Sequence, residues 1–183
     1  MLVFTFFAKK NEGRQLSNFW EVEVVVDGRT YSTGEHAFHG SKYVAVAEHV
    51  GDEDRRKKLM EYGRQFEKGC VWGSCTPVEA KKKGGKKGMA LTSEELGLWD
   101  KLSVDVQRQI CAYKLKTDEV VKNALLATGE KTLVHPAMRC SLEKVKKCKW
   151  EGRVVEENGR RMIVGGNMLG GIWMEMREGL GEN

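Results

Sequence analysis

The sequence predicts an α+β fold, mostly helical with a small β-sheet, in a single domain over residues 1–183. Three observations carry this. Hairpin signals lie towards both ends of the chain, the hydrophobic period between them is helical, and several helix starts are marked by capping sequences. A length of 183 residues, 40% hydrophobic and 31% charged, suits one globular domain with a real core.

The elements follow in order. "MLVFTFFAKK" (1–10) reads as a first strand, since its lysines follow the apolar run and no small-residue cleavage site appears. "VEVVVDGRTY" places β-branched residues on either side of Asp27-Gly28, a type I′ hairpin signal. Ser32-Thr33-Gly34-Glu35 fits the S-x-x-E capping box, as does Thr92-Ser93-Glu94-Glu95, and Thr76-Pro77-Val78-Glu79 adds a proline at the first helical position. After Thr92, the residues Leu96, Trp99, Leu102, Val106, Ile110 and Tyr113 recur at spacings of three and four, which predicts a long amphipathic helix. Thr117 is expected to cap the next helix and Gly129 to close it. "GRVVEENGRRMIV" repeats the hairpin device at Asn158-Gly159, and a last helix is expected from about Asn167 to "MEMREG". The run "KKKGGKKG" (81–88) reads as a basic helix end and loop.

Charge and cysteine content narrow the function classes. The net charge of +5 permits a polyanionic partner and equally a phosphorylated small molecule. The aromatic residues are not clustered in basic stretches, which argues against a purely nucleic-acid-binding protein. Cys70, Cys75, Cys111, Cys140 and Cys148 contain no C-x-x-C pair, so no zinc ribbon or disulfide framework is expected. A reducing, intracellular setting (cytoplasmic or nuclear) is expected, with no membrane span.

The candidate site starts at "STGEHAFHGSK" (32–42). On a helix beginning near Glu35, Lys42 lies two turns on, roughly 10 Å along the axis and at nearly the same angle. His39 falls between them, while His36 points elsewhere. Spacing alone leaves two readings open: a capped helix start with solvated charges, or one wall of an active site. "LSNFW" (16–20) sets Ser17-Asn18 among apolar residues, as a turn or as an amide aimed into a pocket. "VGGNMLGG" (164–171) leads glycines into a helix, where backbone N–H groups can hold a phosphate. No metal-binding pattern is present, and no cofactor is expected.

These fragments occur in a familiar order: "LSNFW", "VDGRTYSTGEHAFHGSKY", "TPVEAKKKG", "LGLWDKLSVDVQRQI", "LLATGEKTLVH" and "GGNMLGGIWMEMREGL". Together they resemble the NADAR family (named for NAD and ADP-ribose), which includes the YbiA-like proteins, over roughly residues 4 to 180. The resemblance implies hydrolysis of an N-glycosidic bond between a ribosyl carbon and a nitrogen. The substrate expected is guanine carrying ADP-ribose, in nucleic acid or nucleotides, with ADP-ribose as product. The alternatives are the ribosylamino pyrimidine intermediates of riboflavin biosynthesis, or a non-catalytic module that binds ADP-ribose or NAD.

Carried over to this chain, the family's acid and lysine fall on Glu35 and Lys42, the expected catalytic pair. Lys42 would form a Schiff base with ribose C1. Trp99 is expected against the ribose or base, Asn18 on a sugar hydroxyl or base edge, and Gly166 with Asn167 at the diphosphate. Phe19, His36, His39, Lys82, Leu169 and Gly170 complete the substrate-binding expectation. One region departs from the family pattern: His135 follows "LV" where many relatives have an acid, and Trp150-Glu151-Gly152 only echoes an Asp before Trp-Gly. This bears most on the riboflavin-type activity.

Overall fold

The computed structural model describes residues 1–9 and 12–181, so Lys10 of the opening segment lies outside the described residues. The chain forms two compact units, Asn18–Thr117 and a second made of Met1–Ser17 with Asp118–Asn183.

In the unit Asn18–Thr117, β2 (Val24–Val26) pairs antiparallel with β3 (Arg29–Tyr31). Asp27 and Gly28 between them both take positive φ, 47° and 74°, as a type I′ turn requires. The helices α1 (Gly34–Ala47), α2 (Glu53–Arg64), α3 (Pro77–Gly84) and α4 (Ser93–Thr117) follow. Their core includes Val24, Tyr31, Ala37, Tyr43, Leu59, Phe66 and Ile110. The α1–α2 contact is close because Gly40 and Gly63 face each other, and a Cβ on Gly63 would stand 2.9 Å from the Gly40 carbonyl oxygen.

Both capping boxes beyond residue 70 form. Thr76 Oγ1 accepts from Glu79 N–H while the Glu79 carboxylate accepts from Thr76 N–H, and Thr92 with Glu95 does the same. The box expected at Ser32–Glu35 does not. Thr33 is the cap, its side chain accepting from His36 N–H, and the Ser32 hydroxyl donates instead to the Gly73 carbonyl. The helix thus starts one residue later than the motif implies, which releases Glu35 from a capping role. On α4, Leu96 is exposed although it lies in the predicted stripe, whereas Gln107 and Ser103 are buried.

In the other unit, the first strand β1 (Val3–Thr5) pairs parallel with β4 (Thr132–Val134). The hairpin β5 (Arg153–Glu157) with β6 (Arg160–Val164) turns at Asn158 and Gly159, both at positive φ. The expected small sheet is therefore three separate two-stranded ladders among the described residues. Helix α5 (Glu119–Leu126) is capped by Asp118 at 2.8 Å to Val120 N–H, not by Thr117, which ends α4. An aspartate carboxylate accepts two first-turn N–H groups here, and Thr117 instead bonds back to the Tyr113 carbonyl. Helix α6 (Leu142–Lys146) was not anticipated, and α7 (Met168–Gly181) is. Trp173 of α7 is fully buried and donates to the Leu16 carbonyl at 2.9 Å.

Candidate active site

The start of α1 is fixed by a segment distant in sequence. Asn18 and Gln107 exchange two amide hydrogen bonds, 2.8 and 3.0 Å, and the Asn18 carbonyl accepts Glu35 N–H at 2.9 Å. The Asn18 amide expected at a sugar or base is therefore bonded to α4, and its work here is to hold the helix start. A Cβ on Gly34 would come 2.9 Å from Asn18 Oδ1, so the approach needs glycine.

Glu35 is 6% exposed. Its Oε1 lies 3.2 Å from His39 Nε2 and 3.9 Å from Lys81 Nζ. His39 Nδ1 is buried without a hydrogen-bonding partner. Gly84, the last residue of α3, presses on the His39 ring so closely that a Cβ there would stand 2.1 Å from it. Lys42 Nζ donates to the Gly84 carbonyl and lies 4.5 Å from the Tyr43 ring centroid. Lys42 is half-buried, and burial alone lowers its pKa to about 8. Among the described residues Lys42 and Glu35 form no ion pair, so the carboxylate does not oppose that shift.

The α1 side chains Glu35, His39 and Lys42 thus meet the end of α3 at Lys81 and Gly84. Lys81 also lies 5.6 Å from the Phe19 ring centroid. Lys82, the lysine singled out in that run, is exposed on the same last turn. No sequence motif singles out Lys81 or Gly84. The available signal was the Thr76 capping box, which fixes α3 and puts Lys81 and Gly84 three apart on one face.

Trp99 is buried and packs edge-on against Phe38, with centroids 5.0 Å apart. His36 is fully buried, its Nδ1 2.8 Å from Thr33 Oγ1 and its Nε2 3.6 Å from Cys75 Sγ, and burial lowers its pKa. It borders an open groove of about 410 Å³ that Thr33, Lys68, Ser74 and Cys75 also line. Glu35 and Lys42 are not part of that lining.

The remaining expected residues belong to the other unit. Gly166 N–H donates to the Cys148 carbonyl at 2.7 Å, Asn167 N–H to Glu151 at 3.1 Å and Met168 N–H to Lys149 at 3.0 Å. The Asn167 side chain donates to the Leu133 carbonyl at 2.8 Å and accepts His135 N–H at 3.0 Å. Leu169 is buried, and a Cβ on Gly170 would stand 2.3 Å from the Leu133 carbonyl oxygen. The N–H groups of Gly166 and Asn167, expected to hold a diphosphate, are donated within the unit, because the 148–151 loop supplies carbonyls in a phosphate's place. These residues build the turn into α7.

The order of motifs and this arrangement meet in one comparison. The family model of the NADAR domain matches residues 5–181, across both units. The chain belongs to the NADAR family. NADAR proteins are associated in general with N-glycosidase activity. The solution NMR structure of E. coli YbiA is similar at a TM-score of 0.60, with 22% identity over 98% of this chain and 85% of that one. That likeness concerns the fold. No curated protein matches the sequence.

Proposed function

We propose that this chain is an intracellular N-glycosidase that removes ADP-ribose from guanine in nucleic acid or nucleotides, through a Schiff base between Lys42 and ribose C1. The observation that carries the reading is the state of Lys42. Burial holds its pKa near 8, and the nearby carboxylate faces His39 and Lys81 instead. An amine nucleophile must be unprotonated, and this setting favours that form.

Glu35 supplies the proton transfer. A proton delivered to the ring oxygen opens the ribose, and the Lys42 amine then adds to C1. The C1–N bond to guanine breaks, with the base nitrogen leaving as it takes up a proton, and an imine remains between C1 and Nζ. Water adds to that imine, freeing Lys42 and an aldehyde that recloses as ADP-ribose. His39, bonded to Glu35 and with Nδ1 unpaired, positions the carboxylate. Departure of Lys42 from the Gly84 carbonyl is part of reaching C1.

The test uses an oligonucleotide carrying ADP-ribosyl-guanine, followed by mass spectrometry. Wild type is expected to release ADP-ribose and leave intact guanine, and Lys42→Ala to do neither while keeping a native circular-dichroism spectrum. Borohydride added during turnover should leave a reduced adduct on Lys42. Turnover by Lys42→Ala would overturn the Schiff base. Binding of ADP-ribose without release by wild type would overturn the enzyme reading.

A further inference from the structure

The end of α3 that meets Glu35 and Lys42 carries charge that the mechanism leaves unused. Lys81, Lys82, Lys83, Lys86 and Lys87 follow one another closely, and no acid stands between Lys81 and Thr92. The nearest acid in sequence, Glu79, has its carboxylate on the Thr76 cap at the other end of α3. Among the described residues, Lys81 alone of the five has a carboxylate within ion-pair distance, that of Glu35 at 3.9 Å. Lys82, Lys86 and Lys87 are exposed.

The backbone that presents these cations is pinned. Gly85 N–H donates to the Lys82 carbonyl at 3.3 Å, and Gly88 N–H to the Gly85 carbonyl at 3.0 Å. Tyr62 and Tyr43 donate to the Lys83 and Met89 carbonyls at 2.9 and 3.1 Å, and Arg55 to that of Ala90 at 2.7 Å. A Cβ on Gly88 would stand 1.7 Å from the Lys83 carbonyl oxygen, so the turn closes only on glycine. Like charges are thus held together on a fixed turn with no internal anion to offset them, which a polyanion would do.

Two rings join the cations through packing. Lys83 Nζ lies 4.8 Å from the Trp72 ring centroid and Lys81 Nζ 5.6 Å from that of Phe19, and both rings are half-buried. Neither ring belongs to the basic run, so the fold assembles what the sequence keeps apart. Cations that follow a phosphate backbone, beside aromatic faces on which bases stack, suit single-stranded nucleic acid. A duplex offers the phosphates but keeps its base faces stacked on one another.

We propose that the lysine turn 81–88 is a docking surface for a single-stranded polynucleotide, whose backbone it carries past Lys42. Continuity with the site supports this: Lys81 faces Glu35, and the Gly84 carbonyl holds Lys42 Nζ. Delivery of a modified guanine to Lys42 rests on the N-glycosidase reading, whereas the docking does not.

The test is fluorescence anisotropy of the whole chain with a labelled, unmodified single-stranded oligonucleotide over a salt series. The pair Lys86→Gln with Lys87→Gln should weaken binding roughly tenfold or more at low salt, and lower the slope of log Kd against log salt by about 0.7 per lysine. The pair Lys101→Gln with Lys116→Gln removes the same charge from α4 and should change neither quantity appreciably. A duplex of the same sequence should bind more weakly. Turnover is read separately, as kcat/KM for ADP-ribosyl-guanine in the oligonucleotide divided by that for the free nucleotide, and this ratio should fall in the Lys86 and Lys87 variant. Strand binding that depends on Lys86 and Lys87, with no turnover by wild type, would support the docking surface and overturn only the glycosidase reading. Turnover of the free nucleotide without strand binding, equal weakening by both lysine pairs, or tighter binding of the duplex would overturn the docking surface.

Discussion

Helices α1 and α7 both begin at residues that the motifs put in the site, yet the structure treats the two starts differently. At α7 the turn is internally bonded: the three successive N–H groups of Gly166, Asn167 and Met168 meet carbonyls, and the Asn167 amide bonds at both ends. At α1 the backbone is equally well held, but the side chains are not. Lys42 is a half-buried amine that meets a carbonyl and an aromatic ring but no carboxylate among the described residues, and His39 has a buried nitrogen with no partner. Saturated hydrogen bonding marks architecture, because nothing remains to recognise a ligand. Polar groups kept short of partners at the cost of desolvation are what a reaction can use.

The sharpest way to break this contrast is Glu35→Gln. The amide keeps the size and can still bond to His39, but it cannot carry a proton. Turnover should fall roughly 10²–10⁴-fold, the range general acid–base catalysis supplies, with the unfolding midpoint little changed. Single-turnover kinetics on the ADP-ribosyl oligonucleotide would measure it. A loss of stability without loss of turnover would place Glu35 with the architecture, alongside Asn167.

Asn167→Ala is the converse. It strands His135 N–H and the buried Leu133 carbonyl, and puts alanine at a positive φ of 45°. Those losses together suggest roughly 3 kcal/mol of destabilisation. Urea unfolding should show the lower midpoint, while KM at a temperature where the variant is folded stays near wild type. A stable variant with a raised KM would mean that this turn holds substrate after all.

The sequence made these two starts look alike. Left-handed turns at Asp27-Gly28 and Asn158-Gly159 were legible because their chemistry is local, and so were the Thr76 and Thr92 caps. Even the local signal misled at Ser32–Glu35, where Thr33 competes for the cap and wins. Long-range pairings left no mark. Asn18 and Gln107 are 89 positions apart, and nothing in either segment announces their mutual bond. The approach of Lys81 and Gly84 to α1 likewise depends on how α3 packs. Helix α6 was hidden because a helix of five residues is too short to show a period. Family resemblance nominated Glu35 and Lys42 together. Only the packing separates them electrostatically.

That separation predicts a pH dependence. Lys42 loses its proton near pH 8 in the folded chain and near 10.5 when unfolded. Below pH 8 the rate of imine formation should climb about tenfold per pH unit, since each unit multiplies the free amine tenfold, and it should level off above pH 8. Stability carries the same group with its own sign. Between about pH 8 and 10.5 the unfolded chain binds the proton that the folded chain has lost, so this residue makes stability rise with pH across that window. Lys42→Met keeps the bulk and removes the charge. Its unfolding midpoint, compared with wild type from pH 7 to 11, should lack that rise. A wild-type profile that stays flat from about pH 8 to 10.5 relative to Lys42→Met, and falls only above that, would mean the amine is held protonated by a partner, and the contrast between the two helix starts would fail at its central residue.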